Sequence, residues 1–161
     1  MGIICFISYA TVDSQAFKIA ETAELLTTTY DSIEDVLYWQ QDMGIDIVDY
    51  MNNNIHRCDV FILYVSENSL ERSAVRMEWK AALMERKPII PVFNNPILIP
   101  TLLKPYLGHQ FVANDPSRNV SALYRLIMRS INRKEVEGQE DHMQTYQFGS
   151  WSTKFFGLVR E

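Results

Sequence analysis

The stretch DVFILYVS, residues 59–66, decides the fold. Six apolar residues in a row, Val60 to Val65, many of them β-branched or aromatic and flanked by Asp59 and Ser66, suit a strand covered on both faces. A strand with one wet face would alternate apolar and polar side chains instead. This run is therefore expected at the centre of a parallel sheet.

Working toward the N-terminus, Ile3 to Ile7 is a second such run and opens the fold. Asp13 or Ser14 can cap a helix whose apolar positions Phe17, Ile19, Ala20, Ala23, Leu25 and Leu26 recur at helical spacing to about Thr28. A short strand around Val36 to Trp39 follows. The loop QQDMG then leads into a helix from about Ile45 to Arg57, with Ile47, Val48, Met51 and Ile55 toward the core. Past the central strand, one helix is expected from Ser69 to Arg86, and Pro88 marks the change to the strand IIPVF, Ile89 to Phe93. A short helix near Thr101 to Leu107, a strand from His109 to Val112 and a helix from Asn119 to Lys134 complete the order. Strands alternating with helices predict a three-layer α/β domain with five parallel strands over residues 1–134. Residues 135–161 read as an extension, an acidic linker followed by an aromatic segment.

With 161 residues, 47% apolar and 22% charged, the chain suits one domain with a sizeable core. Its net charge of −5 argues against nucleic acid or anionic membranes as partners. Cys5 and Cys58 lie in or beside apolar runs without metal-ligand spacing, and read as buried thiols in a reducing compartment. No metal site is expected. The opening MGIICFISYA lacks a basic stretch and its apolar run is too short for a leader or a span, which points to the cytoplasm.

Parallel sheets bind ligands at the carboxyl ends of their strands. The segments there, SYATVDS, QQDMG, SENS, NNP and NDPS, contain neither a dinucleotide-binding glycine fingerprint nor a P-loop. Hydroxyls at Ser8, Thr11 and Ser14 could form a flavin-type phosphate loop, but a helix cap is the simpler use. His56, His109 and His142 are scattered and read as surface or helix-end residues. Tyr38 and Trp39 at a strand end read as core rather than as a stacking platform.

Glu78, within RMEWKAAL, stands out. Its helical neighbours Ala74, Val75, Ala81 and Ala82 include no base, and the apolar stripe of Leu70, Met77, Ala81 and Met84 lies beside it. Desolvation should raise the pKa of a carboxylate placed there, as at many functional sites. The bland alternative is equally simple, because Glu71, Glu78 and Glu85 recur every seven residues and could form one solvated stripe.

The segments CFISYATVD, VLYWQQDMGIDIVDYMNNNI, RCDVFILYVSENSL and RMEWKAALMERKPIIPVF, taken in order, resemble a TIR domain, the Toll/interleukin-1 receptor module, of the kind found in prokaryotic and intracellular signalling proteins. The likeness is firm over residues 3–93 and weaker to Lys134. It implies a flavodoxin-like sheet of order 2-1-3-4-5. It also implies cleavage of NAD+, as substrate and not cofactor, to nicotinamide and ADP-ribose or a cyclic isomer, in immune defence or cell-death signalling. Glu78 matches the family's catalytic glutamate, and Ser8, Tyr9, Ala10, Trp39, Gln40, Asp42 and Ala74 match the substrate-binding positions. Met43, Gly44 and Ile45, in the loop after the second strand, match the surface through which copies associate, implying a homo-oligomer when active. Two positions depart from the pattern. Ala74 stands where many catalytic members carry Trp, and Ala10 where many carry a basic or polar residue. The resemblance equally admits a non-enzymatic scaffold that pairs with other TIR domains.

Overall fold

A computed structural model describes residues 1–40 and 46–134. The run that opened the analysis is strand β3 (Val60–Val65), with all six residues buried. It lies at the centre of a five-stranded sheet of order β2-β1-β3-β4-β5. The other strands are β1 (Ile3–Ser8), β2 (Ile33–Tyr38), β4 (Ile89–Phe93) and β5 (His109–Gln110), and every pairing is parallel. Asp59 extends the central pairing below β3. Its N–H donates to the Ile4 carbonyl at 2.8 Å and its carboxylate accepts from the Ile4 N–H at 2.9 Å.

The helices are α1 (Ile19–Thr29), α2 (Ile47–Arg57), the short α3 (Glu67–Glu71), α4 (Ser73–Met84) and α5 (116–134, its last described residue). Strand side chains alternate between faces, and the two faces carry separate cores. Cys5, Ile7, Ile62, Tyr64, Ile90 and Val92 meet Phe17, Ile19, Ala23 and Leu26 of the α1 region and Val120, Leu123 and Ile127 of α5. Phe6, Phe61, Leu63, Val65 and Ile89 meet Tyr50, Met51 and Ile55 of α2 and Val75, Trp79 and Ala82 of α4. Phe6 and Phe61 stack at 5.5 Å between ring centroids. Each fully buried side chain of this size contributes about 1.5–3 kcal/mol of transfer free energy. The three-layer α/β expectation holds.

Several boundaries differ from those expected. Asp13 does not cap α1, because its carboxylate accepts from Ser66 Oγ at 2.5 Å and Asn68 Nδ2 at 2.7 Å. A 3₁₀ turn at Thr11–Asp13 comes first, and the chain enters α1 through Lys18 at φ 50°, a conformation that re-aims it. β2 starts at Ile33, earlier than expected. Asp46 caps α2 by accepting from the N–H groups of Val48 and Asp49, which leaves Val48 on the exposed side while Tyr50 is buried. The expected helix over 69–86 is two, broken at Arg72, whose ψ of 119° is extended. No glycine or proline stands at the break. A capping box between Ser66 and Ser69 fixes the start of α3, whereas the buried face of α4 fixes its own direction.

That face consists of Val75, Glu78, Trp79 and Ala82, so of the expected stripe Met77 and Met84 are solvent-exposed, at 53% and 86%, while Leu70 and Ala81 are partly buried against the core. The helix expected near Thr101 is two 3₁₀ turns, Pro96–Leu98 and Thr101–Leu103. β5 is shorter than expected because Asn119, buried at the start of α5, captures the next residues. It accepts from the Val112 N–H at 2.9 Å and donates to the Val112 carbonyl at 2.8 Å. Gly108 lets β5 approach β4, since a Cβ there would fall 2.5 Å from the Pro91 carbonyl oxygen.

Candidate functional site

The alternation of β1 sets the site. Phe6 faces the α2/α4 layer and Ile7 the α1/α5 layer. Ser8 therefore returns to the α2/α4 side and Tyr9 to the α1 side. From α4, Glu78 reaches the end of β1, where the Ser8 hydroxyl donates to its Oε2. Both residues are buried, Ser8 to 1% exposure and Glu78 to 4%. The stripe of Glu71, Glu78 and Glu85 is therefore not a solvated one at its middle position. Burial pushes the Glu78 carboxyl up to about 7, and the hydrogen bond from Ser8 opposes this by favouring the ionised form.

Tyr9 ties the exit of β1 to that of β2, and Tyr50 ties α2 to the end of β2. Tyr9 donates to the Trp39 carbonyl at 2.5 Å and Tyr50 donates to the Tyr38 carbonyl at 3.0 Å. Burial is the main cause that raises both phenols, Tyr50 to about 12, and the Glu78 carboxylate adds to the rise in each. Trp39 packs edge-on against Tyr50 with centroids 5.4 Å apart.

A cleft of about 640 Å³ opens on the α1 side of the β1 and β2 exits. Tyr9, Tyr38 and Trp39 give it aromatic walls, Thr11 and Ser14 supply hydroxyls, and Lys18 is paired with Glu21 at 3.6 Å. Such a lining suits a ligand with flat rings and hydroxyls. Glu78 does not line the cleft. It flanks the exit of β1 from the opposite face, and its charge acts on the phenol of Tyr9, which lines the cleft, and on that of Tyr50, which packs against Trp39. Among the described residues no group of His, Cys, Asp and Glu could hold a metal ion.

Residues 5–127 match the sequence profile of the TIR domain family. The chain belongs to the TIR domain family. A solved relative in fold is the TIR domain of the Toll-related Receptor TRR-2 from the lower metazoan Hydra magnipapillata, with a TM-score of 0.57 at 18% identity, covering 77% of this chain and 97% of that one. No curated protein matches the chain. TIR domains associate with other TIR domains, and the family includes both NAD+-cleaving enzymes and non-enzymatic scaffolds. The flavodoxin-like order expected from the resemblance is the order observed.

This TIR domain distributes the expected substrate-binding residues unevenly. Tyr9, Trp39 and Gln40 line the cleft. Ser8 lies beneath the surface against Glu78, and Ala10 is buried at the start of the 3₁₀ turn. Ala74 is half-buried, one turn before Glu78 on α4. Asp42, Met43, Gly44 and Ile45 lie outside the described residues. Trp79, next to Glu78 in sequence, turns into the core, and its indole N–H has no hydrogen-bond partner among the described residues.

Two further pairs of residues shape this region. Tyr38 and Trp39 are half-buried and wall the cleft as well as packing in the core. Tyr50 and Lys18 were not singled out at all. Tyr50 carried a signal, an aromatic on the apolar face of α2, whereas nothing in the sequence marks the left-handed turn that brings Lys18 to the cleft. His109 donates its Nε2 proton to Asn119 Oδ1 at 2.8 Å and His56 lies 3.2 Å from Glu85, so both serve structural contacts, while His142 lies outside the described residues.

Proposed function

We propose that this TIR domain is an NAD+ glycohydrolase or cyclase in which Glu78 is the catalytic residue. The observation that carries the reading is a buried carboxylate at the carboxyl end of β1, without a cationic partner among the described residues and across the strand exit from an aromatic cleft. An ordinary structural glutamate would be solvated or paired with a base.

Scission of the nicotinamide–ribose bond sends its electron pair to the pyridinium nitrogen, so nicotinamide leaves neutral and no acid is required. The ribosyl carbon becomes oxocarbenium-like, as in glycoside hydrolysis. A carboxylate aimed at that ribose stabilises the developing positive charge and accepts hydrogen bonds from its hydroxyls. Attack by water then gives ADP-ribose and a proton, whereas attack by a nucleophile within the same molecule gives a cyclic isomer. A dinucleotide with rings against Tyr9, Tyr38 and Trp39 has to extend past the exit of β1 for its ribose to reach Glu78, which does not line the cleft, and the Lys18 ammonium near its diphosphate is already paired with Glu21 at 3.6 Å. The reaction proceeds in a reducing compartment, where the buried thiols of Cys5 and Cys58 persist.

The family's self-association supplies the second part of the reading, in which copies join through the loop holding Met43, Gly44 and Ile45 and turnover rises faster than linearly with protein concentration. The test is nicotinamide release from NAD+ by wild type and Glu78→Gln over rising concentration, with a crowding agent to favour assembly. Turnover in wild type, lost in a folded variant, is the expected result. No turnover at any concentration, with assembly confirmed by light scattering, would move the protein to the scaffold class.

A further inference from the structure

We propose that Ser8 is a positioning residue for Glu78, holding the carboxylate at the end of β1 through Oε2 and leaving Oε1 as the oxygen this bond does not occupy. The inference rests on the reading of Glu78 as the group that touches substrate.

The two residues come from different layers and differ in freedom. Ser8 ends a central strand, in register with Leu63 of β3, and its side chain has one heavy-atom torsion. Glu78 has three, and on α4 it could swing its carboxylate away from the strand. Among the described residues Ser8 is the carboxylate's single hydrogen-bond partner. The other donors nearby are already engaged. Tyr9 gives its proton to the Trp39 carbonyl and Tyr50 gives its own to the Tyr38 carbonyl. On α4 itself, Arg76 is exposed and the Lys80 ammonium lies over the Trp79 ring, 5.8 Å from its centroid. Tyr9 and Tyr50 are the titratable groups whose environment registers the Glu78 charge. Among the described residues nothing else holds the carboxylate in place, so the hydroxyl of Ser8 fixes where it sits and offsets part of the burial that favours the protonated form.

The consequence differs from that of a merely structural serine. Loss of the donor disfavours the ionised carboxylate, so Glu78 keeps its proton to higher pH. The experiment is a carbon NMR titration of the Glu78 carboxyl in the full chain, for wild type, Ser8→Ala and Ser8→Thr, with nicotinamide-release pH profiles alongside. Burial pushes the wild-type carboxyl up to about 7, which is where the midpoint is expected. Ser8→Ala is expected to raise it by about 1–2 pH units, the value of one charge-assisted hydrogen bond. The acid limb of kcat/KM moves with it, giving a loss of about 5- to 50-fold at pH 7 that shrinks to about twofold or less at pH 9. Ser8→Thr, which keeps the hydroxyl, returns both to wild type.

Should Ser8→Ala not fold, Ser8→Cys keeps the volume, weakens the donor and is expected to move the midpoint in the same direction. A midpoint unmoved in a folded Ala or Cys variant, or a pH-independent loss of turnover, overturns the proposal. If wild type releases no nicotinamide, the enzyme reading fails by itself. The carbon titration then still decides the pairing, an unmoved midpoint overturning it and a raised one supporting it.

Discussion

The Ser8 hydroxyl and the Glu78 carboxylate, seventy residues apart in sequence, form a buried hydrogen bond across the junction of β1 and α4. Placing a carboxylate there works against stability, because ionising it in a dry setting is unfavourable. The fold keeps this cost at the carboxyl edge of a parallel sheet, where ligands bind in such architectures.

The first prediction concerns that cost. The carboxyl titrates at about 7 in the folded protein against an ordinary 4.5. Between those values the native state holds more protons than the unfolded chain. Stability therefore falls as pH rises through this window and levels off above it. Glu78→Gln cannot ionise, so it should match wild type near pH 5 and exceed it by about 2–3 kcal/mol at pH 8. Urea denaturation at both values measures this, and a variant weaker than wild type at pH 8 would refute it.

Tyr9 links the cleft to the end of β2. Tyr9→Phe removes the hydrogen bond to the Trp39 carbonyl and should cost about 0.5–1.5 kcal/mol of stability. Because Trp39 then loses its tether, KM for NAD+ should rise roughly two- to tenfold with kcat little changed. A fall in kcat alone would place the role of Tyr9 in the chemical step instead.

Asn119 holds the edge strand by three hydrogen bonds, from His109 and Val112 to its oxygen and from its amide to the Val112 carbonyl. Asn119→Ala leaves those groups without partners and should destabilise the domain by about 2–4 kcal/mol. Hydrogen exchange at Val112 should accelerate more than exchange within β3. Equal acceleration throughout would show that β5 does not open by itself.

Cys5 and Cys58 are fully buried thiols, pushed by burial to about 12 and about 11. At pH 8 only on the order of one part in a thousand of the more acidic one is thiolate. Iodoacetamide should label neither in the native protein and both in denaturant, as mass spectrometry would show. Rapid native labelling of either would mean that its end of the sheet opens.

The buried runs of β1, β3 and β4, the amphipathic helices between them and the order of the layers were legible in the sequence, because apolar period and length are local properties of the chain. Glu78 could be marked as unusual for the same reason, since its lack of a helical base is visible within four residues on either side. Whether it was solvated or buried was not legible. Helical period puts Glu71, Glu78 and Glu85 on one stripe, and only the break at Arg72 and the packing of Val75, Trp79 and Ala82 turned Glu78 inward. Tertiary structure likewise took Asp13 from its expected cap, ended β5 at Gln110 and set Ser8 and Tyr9 on opposite faces of one strand end. These outcomes depend on partners tens of residues away. Pairing between distant side chains, unlike hydrophobic period, is fixed only when the layers close on one another.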